Sequence, residues 1–171
     1  MPAALSLFLC LALAVPALAA PSFTAPVISV ADGNTITVLT KDKQQSKIHL
    51  YGIDCPERGR EFWSRAKQAT SDAVFGKNAT VQPLDTVRSG HTTAVVIMPG
   101  GKSLNEHLVR EGLAWVNQQH CTQEDICAPL RRLEKAAKLQ QRGIWRDKTP
   151  VPQQDLMIFP GGIGSGGHEK L

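Results

Sequence analysis

Residues 27–51 read VISVADGNTITVLTKDKQQSKIHLY, and this stretch sets the fold. Val27 to Val30 is a short apolar-rich run, and Asp32-Gly33 is a hairpin turn signal. Thr35-Ile36-Thr37-Val38-Leu39 alternates as a half-buried strand does. Lys41 to Ser46 is a polar turn, and Lys47-Ile48-His49-Leu50-Tyr51 alternates again. The period of two places Ile48 and Leu50 on one face and Lys47, His49 and Tyr51 on the other. Three strands joined by tight turns form a meander.

Downstream, Pro56 closes the third strand. Phe62, Ala66, Ala69 and Ala73 then recur at helical spacing, with Gly76 placed as a C-terminal cap. Ala79 to Gln82 reads as a short fourth strand, Asp85 to Gly90 as a polar loop, and His91 to Met98 as a fifth strand. Ser103-Leu104-Asn105-Glu106 is a capping box that opens a helix running to about Glu111. Pro129 suits the first turn of a last helix, with Leu130, Leu133 and Ala137 as its apolar stripe. The order is β-β-β-α-β-β-α-α. It predicts a mainly β, α+β domain: a five-stranded OB-type barrel with three α-helices.

Outward from this core the two ends differ in composition. Leu5 to Val15 is an uncharged apolar run, followed by Pro16 and the small-x-small pattern Ala17-Leu18-Ala19. Residues 1–19 are therefore expected to be a secretory signal peptide, and the product secreted or periplasmic. An uncleaved anchor is the alternative, although the run is short for a membrane span. Residues 24–148 form the expected domain. Residues 149–171, rich in Pro and Gly, are expected to be a disordered tail. No second apolar stretch is long enough to span a bilayer, and a monomer is expected.

Three cysteines remain after cleavage. In an oxidising compartment the close pair Cys121 and Cys127 is the expected disulfide, with metal binding as the rival use. Cys55 is left as a half-buried free thiol. The net charge of +4 suits a polyanion such as nucleic acid, though many exported proteins are as basic. Trp115 and Trp145 follow helix ends and read as core anchors.

Four segments in register resemble the staphylococcal-nuclease, or thermonuclease-like, domains. They are Val30-Ala31-Asp32-Gly33-Asn34-Thr35, Leu50-Tyr51-Gly52-Ile53-Asp54-Cys55-Pro56-Glu57, Leu104-Asn105 through Leu108-Val109-Arg110-Glu111-Gly112-Leu113-Ala114, and Gly143-Ile144-Trp145. The resemblance implies calcium-dependent hydrolysis of DNA and RNA phosphodiesters. It puts Asp54 and the carbonyl of Cys55 at calcium-ligating positions, Asp32 at an acidic position near the metal, and Glu57 at the catalytic glutamate. Three positions depart from the pattern. Asn34 stands for a second ligating aspartate, and His49 and His91 stand for two arginines. An amide oxygen carries no charge for a hard cation. An imidazole cannot offer the guanidinium's bidentate fork to a phosphate.

Each of these residues also has an ordinary use, as a turn former, a solvated loop acid or polar cover on a strand. In family register they point to one pocket, which leaves three expectations. The first is a metal-dependent nuclease with weakened catalysis, in which Glu57 serves the water and His49 and His91, when protonated, or Arg88 supply positive charge. The second is an inactive OB-type domain that binds nucleic acid or a protein, through Lys47, Arg88, Lys102 and Arg110. The third is a zinc site made by His49 and His91 with Asp54 or Glu57, which needs both imidazoles within about 2 Å of one point.

Overall fold

A computed structural model describes residues 21–86 and 91–146. The expected signal segment 1–19, the expected tail 149–171 and Arg88 lie outside the described residues. Five strands close into a barrel: β1 (Phe23–Asp32), β2 (Thr35–Leu39), β3 (Gln45–Leu50), β5 (Asn78–Thr86) and β6 (His91–Ile97). Their order around the barrel is β1-β2-β3-β6-β5, antiparallel except for the parallel pair β3 and β6. Three helices, α1 (Trp63–Val74), α2 (Leu104–Arg110) and α3 (Glu124–Leu139), complete the expected set. The short strands β4 (Ile53–Asp54) and β7 (Trp115–Val116) form a separate two-stranded ladder that the sequence reading missed. Two residues carry no periodicity to read.

The alternation of the sequence becomes the barrel interior. Ile36, Val38, Ile48, Leu50, Val81 and Val96 are fully buried. Each such side chain contributes about 1.5–3 kcal/mol relative to exposure. Helix α1 lies across β1 and buries Ala66, Thr70 and Val74, one residue per turn along one face. Thr70 is tolerated there because its hydroxyl donates to the Gly33 carbonyl at 2.6 Å. Gly76 adopts φ 71° just past the helix, and its N–H is given to the Val27 carbonyl, which ties the helix end to β1.

The element boundaries correct several expectations. β5 does not stop at Gln82 but continues past Pro83 to Thr86. β1 pairs β5 only as far as Val81, so Pro83 sits where one ladder has ended, and the other has a bulge between Pro83 and Asp85. α3 begins at Glu124, so Pro129 lies inside the helix rather than in its first turn. Glu124 and Asp125 favour the helix N-terminus electrostatically, and Cys127, bonded to Cys121, fixes the first turn before Pro129 is reached. Pro129 then costs a single backbone bond. Ser103 caps α2 as predicted, accepting the Glu106 N–H at 3.3 Å.

Tyr51 departs most. It was placed beside Lys47 and His49 on the open face, but β3 ends at Leu50 and Tyr51 is buried. Its hydroxyl accepts the N–H groups of Thr122 and Gln123, both at 2.9 Å, beneath the disulfide loop. Burial acts to raise its pKa, but the Thr122 hydroxyl at 3.3 Å and then these N–H groups outweigh it and hold the phenol below its ordinary value. Gly52, at φ 73°, makes the turn possible, and a Cβ there would fall 2.5 Å from the Cys121 sulfur.

Candidate active-site cleft

The turn between β1 and β2 must come close to the loop after β4 for a site to exist. Gly33 permits it: a Cβ at this position would lie 2.7 Å from the Cys55 sulfur and 2.8 Å from the Ala66 Cβ. The contact brings Asp32 and Asn34 against Asp54, Cys55 and Glu57. These residues, with His49, Arg58 and Trp63, line a cleft of about 560 Å³. A second hollow of about 560 Å³ adjoins it across His49 and Asp54, floored by Tyr51 and edged by Asn117 and His120.

The hydrogen bonds fix the chemical state of the cleft floor. Asn34 is buried, and its Nδ2 donates to the Ile53 carbonyl at 3.2 Å. A carbonyl only accepts, so this bond settles which end of the amide is nitrogen. The same Nδ2 lies 3.4 Å from His49 Nε2, which must therefore accept. His49 Nδ1 lies 3.3 Å from the Thr35 hydroxyl and carries the ring proton toward it. His49 is thus a neutral imidazole with both nitrogens engaged. Burial pulls its pKa below the ordinary value. Asp54 and Asp32 oppose that shift, and Lys47 and His91 add to it.

The acids are also engaged. Asp32 Oδ1 accepts the Asn34 N–H at 3.1 Å, which shapes the turn. Asp54 Oδ2 accepts from Asn117 Nδ2 at 2.8 Å. Asn117 is aimed by its own oxygen, which takes the N–H groups of Gln119 and His120. It is further held by Cys121 N–H on its carbonyl. Nothing in the sequence marked Asn117; it is a polar residue on an edge strand's exit whose role depends on the β4–β7 pairing. Glu57 is exposed at the cleft mouth.

Cys55 is free but buried, not half-buried as expected, because it fills the space under Gly33. Burial, then the charges of Asp32 and Asp54, push its thiol well above the ordinary value. His91 and Lys47 share the outer face of the β3–β6 pair with His49, as cross-strand partners, but neither lines the cleft. Cys121 and Cys127 form the expected disulfide, with Cα atoms 5.7 Å apart.

A calcium ion asks for six to eight oxygens, drawn from carboxylates, carbonyls and water. Among the described residues no group of three or more His, Cys, Asp or Glu is gathered to hold a metal. One Asp54 oxygen is taken by Asn117, and Asn34 turns its nitrogen to the Ile53 carbonyl. No calcium cage is assembled among the described residues, and the same count gives no support to zinc on His49 and His91. No helix among the described residues is long and apolar enough to cross a membrane.

The family described as "Staphylococcal nuclease homologue" has a sequence model that matches residues 47–147. An uncharacterized endonuclease of Escherichia coli is 36% identical over 126 residues, covering 74% of this chain and 79% of that protein. A micrococcal nuclease of Shigella flexneri is 35% identical over 145 residues, covering 80% of each. The protein ParB of Escherichia coli is 34% identical over 151 residues, covering 82% and 84%.

Proposed function

The chain belongs to the staphylococcal nuclease family, and from that premise we propose that it acts on nucleic acid as a phosphodiesterase with strongly weakened catalysis, in an oxidising compartment outside the cytoplasm. The disulfide supports that compartment, as does the apolar amino-terminal run. One observation carries the catalytic reading. Where the family resemblance puts an arginine, His49 is neutral and spends both nitrogens on Asn34 and Thr35. It has no donor left for a phosphate oxygen, so the charge that builds on a phosphate under attack loses a fixed partner. Removing one such donor costs about 10²–10³ in rate.

Glu57 remains suited to its task. It is exposed at the mouth of the cleft and can orient a water or take its proton. Asp32 and Asp54 shape the cleft floor. The family implies calcium; no cage for it is assembled among the described residues, and no step here runs through a metal. Binding without cleavage is the second reading, favoured by the same engaged His49.

The experiment is cleavage of single-stranded DNA, with calcium and with chelator, by the wild type, Glu57→Gln and a His49→Arg/His91→Arg double variant. Slow cleavage that Glu57→Gln abolishes and the arginines raise by about 10²-fold or more supports the proposal. Wild-type cleavage indifferent to Glu57 sinks it. No cleavage above the Glu57→Gln level leaves binding alone as the function.

A further inference from the structure

The segment from Glu57 to Gln68 reads ERGREFWSRAKQ, two aromatic residues set among Arg58, Arg60, Arg65 and Lys67. None of these four cations enters an ion pair among the described residues; the pairs that form use Arg110, Arg131, Lys138 and Arg142. Two cations instead address one ring. The Arg58 guanidinium and the Lys67 ammonium each lie 5.4 Å from the centre of the Trp63 ring. Lys67 is one helical turn beyond Trp63, and Arg58 reaches back from the exposed loop before α1.

Trp63 differs from the other two tryptophans. Trp115 is buried in the β4–β7 ladder, and Trp145 lies under the Lys138 ammonium at 4.3 Å. Both have their indole nitrogens buried. Trp63 is half-buried and, with Arg58, lines the cleft that holds Asp54, Glu57 and His49. Its neighbour Phe62 faces elsewhere. The backbone passes through the left-handed region at Phe62, φ 63°, which bulky residues rarely adopt. Phe62 and its own cation, Arg65 at 5.2 Å, line a different groove between α1 and the end of α3.

We infer that Trp63, flanked by Arg58 and Lys67, is a stacking platform for a base of single-stranded nucleic acid at the lip of the cleft. The inference rests on the reading of that cleft as a nucleic-acid site and adds a contact to it. An incoming base takes the place of one cation over the indole face, and that cation moves to the flanking phosphate. Base–aromatic stacking tolerates any sequence, and the two cations supply the backbone contacts. Duplex bases are already stacked and cannot reach the ring, so the platform selects single strands.

The test measures binding of an oligothymidylate to the full chain in chelator, where cleavage plays no part. Trp63→Ala is expected to raise Kd about tenfold or more, within the range for loss of a stacked base. Trp63→Phe is expected to restore most of it while abolishing the quenching of indole fluorescence. Arg58→Ala with Lys67→Ala should lower the slope of log K against log salt by about 1.4, two phosphates at about 0.7 each. Arg65→Ala, which faces the other groove, should change Kd by less than about twofold.

Wild-type affinity in Trp63→Ala overturns the inference. So does a loss in Arg65→Ala equal to that in Arg58→Ala, which would mean diffuse charge. So does a folded wild type that does not bind. A failure of cleavage alone overturns the catalytic reading and leaves the platform standing.

Discussion

Two buried polar networks lie on either side of β3, and they are built to different standards. On one side Asn105, 1% exposed, accepts the Val96 N–H at 3.1 Å and donates to the Tyr51 carbonyl at 2.9 Å. Tyr51 in turn accepts two backbone N–H groups at 2.9 Å, and two longer contacts complete the set, Asn105 Nδ2 to the Ala94 carbonyl at 3.5 Å and the Tyr51 hydroxyl to that of Thr122 at 3.3 Å. On the other side the bonds joining Asn34, His49, Thr35 and Ile53 run from 3.2 to 3.4 Å. The short network joins β6, α2 and the disulfide loop, and three elements depend on it. The longer one joins the β1–β2 turn at Asn34 to His49 of β3 and to Ile53 of β4. The first is anchored by three side-chain bonds at 2.9 Å; the second has no side-chain bond that short and stands at a cleft, where its residues can drift in sequence without unfolding the barrel.

The largest expected effect tests this contrast directly. Asn105→Ala orphans the Val96 N–H and the Tyr51 carbonyl, both buried, at about 1–3 kcal/mol each. A loss of about 3 kcal/mol or more is expected from the urea midpoint. Asn34→Ala orphans mainly the Ile53 carbonyl and should lose about 1 kcal/mol. Equal losses would break the comparison.

Next in size is the disulfide. Replacing Cys121 and Cys127 by Ala opens a short loop, a loss of about 2 kcal/mol on the chain-entropy account. Cys121 at the head of that loop gives its N–H to the carbonyl of Asn117, whose amide holds Asp54. The double variant should therefore also weaken any oligonucleotide binding at the cleft, whereas Asn105→Ala should act on stability alone. A disulfide variant that melts earlier but binds unchanged would separate Asp54 from the loop.

The sequence carried the strong side of this contrast better than the weak one. Period two in residues 35–39 and 47–51 exposed the meander, because a barrel buries one face of every strand. Ser103, Gly76 and the Cys121–Cys127 pair are local signals, each readable within a few residues. The cleft residues Asp32, Asn34, His49, Asp54, Cys55 and Glu57 were found only through resemblance, since no periodicity brings a β-turn against a distant loop. Asn117 was invisible because its partner is 63 residues away. Tyr51 was misplaced because alternation was carried one residue past the end of β3. Glu134 was missed likewise: it is buried within α3, with one oxygen accepting the Val116 N–H at 3.0 Å and the other the Lys138 ammonium at 2.9 Å.

A smaller effect asks whether the cleft is one substitution from a cation site. Asn34→Asp loses the bond to the Ile53 carbonyl and sets a third carboxylate beside Asp32 and Asp54. Without calcium the variant should be less stable than the wild type by about 1 kcal/mol. Calcium should raise its melting temperature by mass action on the folded state and leave the wild type unmoved. A wild type that gains as much from calcium as the variant would show that its donors rearrange to fit.

The smallest effect concerns His49 and has a definite sign. Its folded pKa is below the ordinary value of 6.5, first because of burial, against the pull of Asp54 and Asp32. The unfolded chain therefore takes up this proton more readily than the folded one. The neutral ring's contribution to stability is fully present above pH 6.5 and is lost as the pH falls through the folded value. Protonation would also turn Nε2 into a donor facing the Asn34 amide nitrogen, two donors with no acceptor between them. Melting at pH 7 and pH 5 should show a drop on acidification that is smaller in His49→Gln, which can keep a neutral contact with Thr35. If the drop is the same in both proteins, His49 is not its source, and the 3.3–3.4 Å contacts of the cleft floor would be too loose to sense the ring's charge.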